Sequence, residues 1–475
     1  MINEDIKRRT KIVCTIGPSS ASSQVLESML LSGMNVARIN FSHGTHYEHA
    51  AIIKNIRQVA AKLNKPVAIM QDLPGPKDRT GKVKKGGVIL SSGSYFTLTT
   101  RPMLGDESRV SVDWVDLPQK VKKGDSIYIS DGMLKLEVVS SRGRDIRCRV
   151  IEGGRLSDNK GVNVPGLSLE TSVTAEDYRH IEFGLKHGVD IIAISFIRKA
   201  YDVLKVRGFL DMHKSSSLLI AKIERSEALQ NLDEIMKISD AAMVARGDLG
   251  IEIPIEKVPV AQKMIVEKCN RMGKPVIVAT QMLESMVESP RPTRAEVTDV
   301  ANAIYDGADA IMLSEETAIG KYPSQAIQMM SKVALEVEQV LPYDMILMNK
   351  GKELPPETDD AISYSACHTA RQLQAKAIVA FTSSGSTARR VSKYRPQVPI
   401  LAITSSQTTM KQLCLSWGVN AYKVPAALSI AKLFSQGVNV AVQSGLVQRG
   451  DLIVITGGVP VGVSGSTNML KVERI

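Results

Sequence analysis

At 475 residues, with 44% hydrophobic and 23% charged residues, the chain has ordinary globular composition and room for roughly three domains, which excludes a fibrous or disordered protein. Its formal charge of +11 suits nucleic acid, a membrane surface or small anions, but aromatics are only 4% and no basic block interleaves with them, so phosphorylated metabolites fit better than nucleic acid. Residues 1–11 are polar where a signal peptide is apolar, no apolar run reaches about 18 residues, and the five cysteines form no CxxC pair; export and membrane insertion are not expected, and the thiols read as reduced in a cytoplasmic protein.

Short β-branched, apolar runs recur with room for one helix between them, the pattern of parallel strands joined by crossover helices. They fall at 11–17, 36–42, 67–73, 190–197, 218–224, 241–245, 275–281 and 310–315. Eight such units predict a closed (β/α)₈ TIM barrel. The spacing breaks once, after the third strand. There the sequence loses helical periodicity and alternates instead, as at 126–130 and 134–139, which predicts an inserted all-β domain hanging over the barrel mouth as a lid. Beyond the barrel, Leu341, Pro342 and the polar stretch 350–360 read as an interdomain linker. Strands at 377–381, 399–404, 421–424 and 451–456 alternate with helical patterns and predict a C-terminal open α/β domain. The expected division is therefore 1–74 with 169–342 for the barrel, 75–168 for the lid and 343–475 for the C-terminal domain.

In such a barrel the chemistry sits at the C-terminal ends of the strands. The second strand ends Arg38-Ile39-Asn40-Phe41-Ser42-His43, which puts Arg38, Asn40 and Ser42 on one face. The third ends at Asp72, the fifth at Lys222 and Glu224, and the seventh at Thr280, while the loop after the sixth carries Arg246, Gly247 and Asp248. Singly, Lys222 and Glu224 would pass for a solvated pair. In this company Glu224 and Asp248 are hard oxygen ligands suited to Mg²⁺ or Mn²⁺, and Lys222 is placed to neutralise a transferring phosphoryl group. The loop around Gly247 equally suits a β-turn.

In the C-terminal domain, Thr382-Ser383-Ser384-Gly385-Ser386-Thr387 joins a strand to a helix start. That many hydroxyls around one glycine exceed the need of a single cap and favour phosphate binding. His43, His46 and His49 lack the Cys or Glu companions of a tetrahedral metal site. Met282 and Met286 read as packing residues.

The stretches 10–19, 33–44, 220–229, 244–254 and 278–293 resemble pyruvate kinases, and Ala221-Lys222-Ile223-Glu224-Arg225-Ser226-Glu227-Ala228-Leu229 is similar to that family's active-site signature. The resemblance runs along essentially the whole chain. It implies transfer of a phosphoryl group from phosphoenolpyruvate to ADP, giving pyruvate and ATP in glycolysis, by a homotetramer with no nucleic-acid or membrane partner. By resemblance, Arg38 and Lys222 hold the phosphoryl group, and Glu224 and Asp248 bind the divalent metal. The Gly247 and Asp248 amides receive the substrate carboxylate, Thr280 lies near the methylene carbon, and His43, Arg79 and Asn40 face the nucleotide.

The sequence departs from the family at Asp72-Leu73-Pro74-Gly75-Pro76-Lys77, where many members have Glu in place of Lys77 and Thr in place of Leu73. Members with the Glu generally require K⁺. Here a lysine ammonium would stand near Asn40, Ser42 and Asp72, the positions matching the K⁺ ligands, so K⁺ independence is expected. Glu176 stands where several members carry a nucleotide-contacting Lys. The resemblance makes the Thr382–Thr387 loop an effector-phosphate site with 457–466 as a second wall. That wall lacks an Arg for a second phosphate, which favours a sugar monophosphate or AMP over fructose 1,6-bisphosphate. A metal-dependent lyase or aldolase acting on pyruvate enolates is the competing enzyme class; it would not need the lid. A basic scaffold protein leaves the strand-end cluster unexplained.

Overall fold

A computed structural model describes residues 8–76, 78–130, 132–167, 172–427, 429–460 and 467–475. Lys77 and residues 461–466 of the expected second wall lie outside them.

The expected barrel strands form as Lys11–Thr15, Val36–Asn40, Ala68–Asp72, Ile191–Ile194, Leu218–Ile223, Ala241–Ala245, Val276–Ala279 and Ala310–Leu313, all parallel and closed into one barrel. Their side chains alternate between two cores. Val13, Met70, Ile220, Met243, Ile277 and Met312 fill the inside of the barrel, while Ile12, Cys14, Ile39, Ile69 and Ile192 face the surrounding helices. Burial on both sides is why these segments read as continuous apolar runs.

The crossover helices start where the sequence supplies a cap. Thr45, Thr174 and Thr293 each form a reciprocal capping box with Glu48, Asp177 and Glu296. Gly307 ends the helix Arg294–Asp306 in the left-handed conformation at φ 100°.

The inserted domain is a six-stranded sheet running from Val162–Asn163 through Ser126–Ile129, Leu134–Arg142, Asp145–Glu152 and Tyr95–Thr99 to Arg109–Ser111, with the pair Gly87–Leu90 and Gly154–Ser157 beside it. Its alternating inward residues, among them Phe96, Leu98, Ile127, Leu136 and Val150, form a core of their own.

The stretch expected as a linker is mostly helical, in Tyr343–Lys352 and Thr358–Gln372. Its charges belong to helix ends: Lys350 and Lys352 occupy a last turn, and Asp359 and Asp360 a first turn, where each complements the helix dipole. The C-terminal sheet runs Val419–Lys423, Ile400–Thr404, Ala377–Phe381, Leu452–Gly457 and Met469–Arg474. The last strand, unforeseen in the sequence, is an antiparallel edge; it is only half-buried and alternates with Lys471 and Glu473, so it carries no apolar run. This domain sits under the barrel, at the N-terminal ends of the strands. Leu415 and Cys414 join the barrel's interior cluster. Arg395 reaches Asp309 at 2.8 Å, Asn270 at 2.6 Å and the Gly307 carbonyl at 2.7 Å. The mouth is left to the lid.

Candidate active site

Four strand ends converge on Lys222. Its ammonium donates to Ser195 Oγ at 2.6 Å and stands 2.8 Å from Glu224 Oε1 and 3.2 Å from Asp72 Oδ1. Asp72 meets a second cation on its other oxygen, Arg38 Nε at 2.7 Å, and Arg38 Nη1 donates to Thr15 Oγ1 at 2.8 Å. Asp72, Lys222 and Glu224 are all buried. Two cations thus face two carboxylates in a low-dielectric setting, where each ion depends on its partner.

The titration behaviour follows. Burial pushes the Asp72 carboxyl up, but Lys222 and Arg38 together outweigh it and hold the group below its usual range. Burial likewise disfavours the Lys222 ammonium, yet Asp72 and Glu224 keep it charged and raise its pKa. Glu224 is pushed up, first by burial and further by Asp248, with Lys222 opposing.

A second group of contacts sets the Thr280 corner. Thr280 and Gln281 have φ of 71° and 54°, and Phe196 at the fourth strand end has 55°. Such backbone in non-glycine residues is strained and clusters at functional sites. Arg246 holds the corner from below: its guanidinium donates to the Ala279 carbonyl at 3.2 Å, the Thr280 carbonyl at 2.7 Å and Asp299 at 2.7 Å. Thr280 Oγ1 donates to the Ala279 carbonyl and accepts the Gly247 N–H at 2.9 Å. Phe196 N–H donates to Glu224 Oε2 at 2.7 Å, so the strained fourth strand end orients that carboxylate.

Glu224 and Asp248 open on one cleft between barrel and lid, which Asp78, Trp114 and Tyr128 line from the lid side. Among the described residues no three His, Cys, Asp or Glu side chains converge as a complete metal cage. Two carboxylates that repel one another across an open cleft fit an ion completed by water and substrate oxygens, the habit of Mg²⁺.

Other sequence candidates lie apart. Asn40 folds its side chain back to accept the Ser42 N–H at 3.1 Å, and Leu73 is fully buried. His43 is exposed. Arg79 belongs to the lid, where its side chain donates to the Asn159 carbonyl at 3.1 Å and its backbone N–H donates to Asp113 Oδ1. No hydrogen bond or ion pair links His43 or Arg79 to the Lys222 cluster among the described residues. Glu176 pairs with Arg179 at 2.6 Å. His49 is buried against Phe41, and His46 shares a 2.8 Å contact with His180. Met282 and Met286 are buried.

In the C-terminal domain Thr382, Ser383, Ser384, Ser386 and Thr387 line a pocket of about 130 Å³, joined by Thr404 and Ser405. Gly385, within the same loop, has φ 87° and donates its N–H to Thr382 Oγ1 at 2.9 Å, directly before the helix Ser386–Lys393.

Ser195 was not singled out from the sequence, and Arg246 was named at the mouth without a role. Ser195 was within reach of the strand-end rule, which named no residue on the fourth strand. Arg246 adjoins Gly247, but its inward reach to Thr280 leaves no mark in spacing.

Comparison with known proteins shows the family. Residues 7–327 match the pyruvate kinase barrel domain and residues 360–473 the pyruvate kinase alpha/beta domain. The chain is 48% identical over 474 residues to a pyruvate kinase of Geobacillus stearothermophilus, covering 99% of this chain and 81% of that one. It is 45% identical over 471 residues to one of Clostridium acetobutylicum, covering 98% and 100%. The crystal structure of a pyruvate kinase from Cryptosporidium parvum superposes with a TM-score of 0.94 at 38% identity, over 100% of this chain and 97% of that one. The chain, with its paired ions at the barrel mouth, its lid and its C-terminal α/β domain, belongs to the pyruvate kinase family of phosphotransferases.

Proposed function

We propose that this chain moves the phosphoryl group of phosphoenolpyruvate to ADP, in glycolysis, at the mouth of the barrel. The observation that carries the reading is Lys222, a buried ammonium fixed by Asp72, Glu224 and Ser195. Phosphoryl transfer needs little covalent chemistry from protein; it needs cations held where charge develops on the moving group. Lys222 and Arg38 supply them, and Asp72 holds both in register. Arg38 is about one-tenth exposed, which leaves its remaining N–H groups free to turn toward a phosphate.

Glu224 and Asp248 hold a divalent ion, Mg²⁺ or Mn²⁺, which when bound adds positive charge beside the substrate oxygens. The Gly247 N–H, occupied by Thr280 Oγ1, passes to the substrate carboxylate together with the Asp248 N–H. That exchange frees the Thr280 hydroxyl beside the carbon that becomes the methyl group. Arg79 and His43, with Asn40, serve the nucleotide as the lid closes.

The reaction is proposed to run without K⁺. Both oxygens of Asp72 are already matched by cations, Leu73 offers no side-chain oxygen and its carbonyl already accepts Ser195 Oγ at 2.7 Å, which supports a ring charge-compensated from within. Lys77 would complete that compensation. The division into a barrel of 1–74 and 169–342, a lid of 75–168 and a C-terminal domain of 343–475 is proposed as functional, with the Thr382–Thr387 loop taking an effector phosphate, on a sugar monophosphate or AMP in preference to fructose 1,6-bisphosphate. Assembly as a homotetramer and work in the cytoplasm are part of the same reading, the latter supported by five buried, unpaired cysteines. No helix among the described residues is long and apolar enough to cross a membrane.

The test is pyruvate formation from phosphoenolpyruvate, ADP and Mg²⁺, run in parallel with K⁺ and with tetramethylammonium. Equal rates are expected. Activity in K⁺ alone would overturn the internal-cation reading and leave the transfer reaction standing.

A further inference from the structure

Where the C-terminal domain meets the barrel's underside, a cleft of about 630 Å³ opens between the end of the helix His46–Lys62 and the C-terminal sheet. It is far from the mouth, and it is not the hydroxyl-rich pocket. Its wall carries Arg57 and Lys65 from the barrel and Lys411 and Lys423 from the C-terminal domain, and no carboxylate lines it. The nearest acid is Asp190, which sits 2.5 Å from Arg57 and 3.7 Å from Lys411. Asp190 thus meets Arg57 and Lys411, while Lys423 has no ion pair among the described residues.

Between the cations the cleft offers Tyr422 and Met410, a flat ring and a pliable thioether. Concave sites of a few hundred Å³ at domain interfaces, with an apolar floor and a few convergent charges, are the usual form of small-molecule sites. Burial holds the Lys411 ammonium below its usual value, and Asp190 offsets only part of this.

We propose that this cleft is a second anion site, which binds a phosphate-bearing metabolite of up to nucleotide size, with the phosphate between Lys411 and Lys423 and the remainder against Tyr422 and Met410. An occupant would act on both neighbouring domains. Lys411 and Met410 lie on the short helix Gln407–Gln412, whose Thr409 Oγ1 donates to the Ser383 carbonyl of the hydroxyl-rich loop at 2.8 Å. Gln412 of the same helix donates to the Ser216 carbonyl of the barrel at 2.6 Å. Val424, directly after Lys423, lines both the cleft and the hydroxyl-rich pocket.

The experiment is calorimetric titration of the full chain, its active site filled with ADP and Mg²⁺, with inorganic phosphate, ribose 5-phosphate and AMP. It is repeated on Ser384→Glu, which places a carboxylate in the other pocket, and on Lys411→Gln/Lys423→Gln. At least one probe is expected to bind saturably to Ser384→Glu and to lose about tenfold or more in affinity in the double variant. Lys423 is exposed, so Lys423→Gln alone preserves the fold and should lose about threefold. As a second readout, the same probe should protect Lys411 and Lys423 of the unaltered protein from amine-reactive labelling, located by mass spectrometry. Binding lost in Ser384→Glu and unchanged in the lysine variants, or saturation by no probe, or no protection of either lysine, would each overturn the site.

Discussion

Asp72 at the barrel mouth and Asp78 at the base of the lid stand close in sequence and are both withdrawn from water, yet their carboxyls are driven in opposite directions. Arg38 and Lys222 hold Asp72 below its usual range against the effect of burial. At Asp78 two cations, Arg225 and Lys120, are outweighed: burial, helped by Asp113 and Asp116, pushes it up to about 7. The difference separates two kinds of region. The mouth is a set of ions that stabilise one another and stay charged, ready for a substrate that brings more negative charge. The lid base is an incompletely compensated acidic patch whose charge depends on pH.

The strongest way to break the comparison is to remove the hub. Lys222→Ala leaves Asp72 and Glu224 facing each other without their shared cation, and losing one partner of a buried pair costs about 3–5 kcal/mol. Turnover should fall by at least about 10²–10³, the loss typical of one preorganised charge-stabilising group. Thermal melting and steady-state rates read both, and an unaltered melting temperature would mean the cluster is not mutually dependent.

Arg246→Met tests whether geometry matters as well as charge. It removes no group from the Lys222 cluster but releases the Thr280 corner, and misplacement of about 1 Å can cost about 100-fold. We expect kcat to fall by about 10- to 100-fold with KM for phosphoenolpyruvate changed much less; a change confined to KM would assign Arg246 to binding.

Ser384→Glu carries the contrast to the C-terminal loop, proposed above to take an effector phosphate on neutral donors. Basal turnover should stay within about twofold, while activation by a sugar phosphate should weaken by about tenfold, one lost charge-assisted contact. Full activation would place the effector elsewhere.

Asp78→Asn gives the smallest effect and the clearest sign. Because its pKa is raised, the folded chain binds more protons than the unfolded one between the ordinary 3.8 and about 7. Stability is therefore highest below that window and falls as pH rises through it. Asparagine should stabilise by about 1–2 kcal/mol at pH 8, after allowance for solvent screening of a partly exposed group, and by almost nothing near pH 4. Urea midpoints at the two pH values check it, and equal shifts at both would show that Asp78 is not the titrating group.

Much of this was legible in the sequence because it follows from local pattern. The eight apolar runs could be read because parallel strands buried on both faces leave no polar residues inside them. Strand-end polarity located Arg38, Asp72, Lys222, Glu224 and Thr280, which four different crossovers bring to one mouth. The linker reading of 350–360 missed that both its ends belong to the helices Tyr343–Lys352 and Thr358–Gln372, because charges that serve helix dipoles look the same as solvated loop charges. Arg246 and Ser195 act by reaching to the end of the neighbouring strand, 34 and 27 residues away at Thr280 and Lys222, and such distances carry no periodic signal. Nor could the sequence show that Asn40 turns its amide onto its own loop.

The most direct measurement is ³¹P NMR of the full chain with phosphoenolpyruvate, ADP and Mg²⁺. The account predicts loss of the phosphoenolpyruvate resonance with matching growth of the ATP resonances and no inorganic phosphate. An unchanged spectrum, or phosphate released without ATP, would contradict phosphoryl transfer at this mouth.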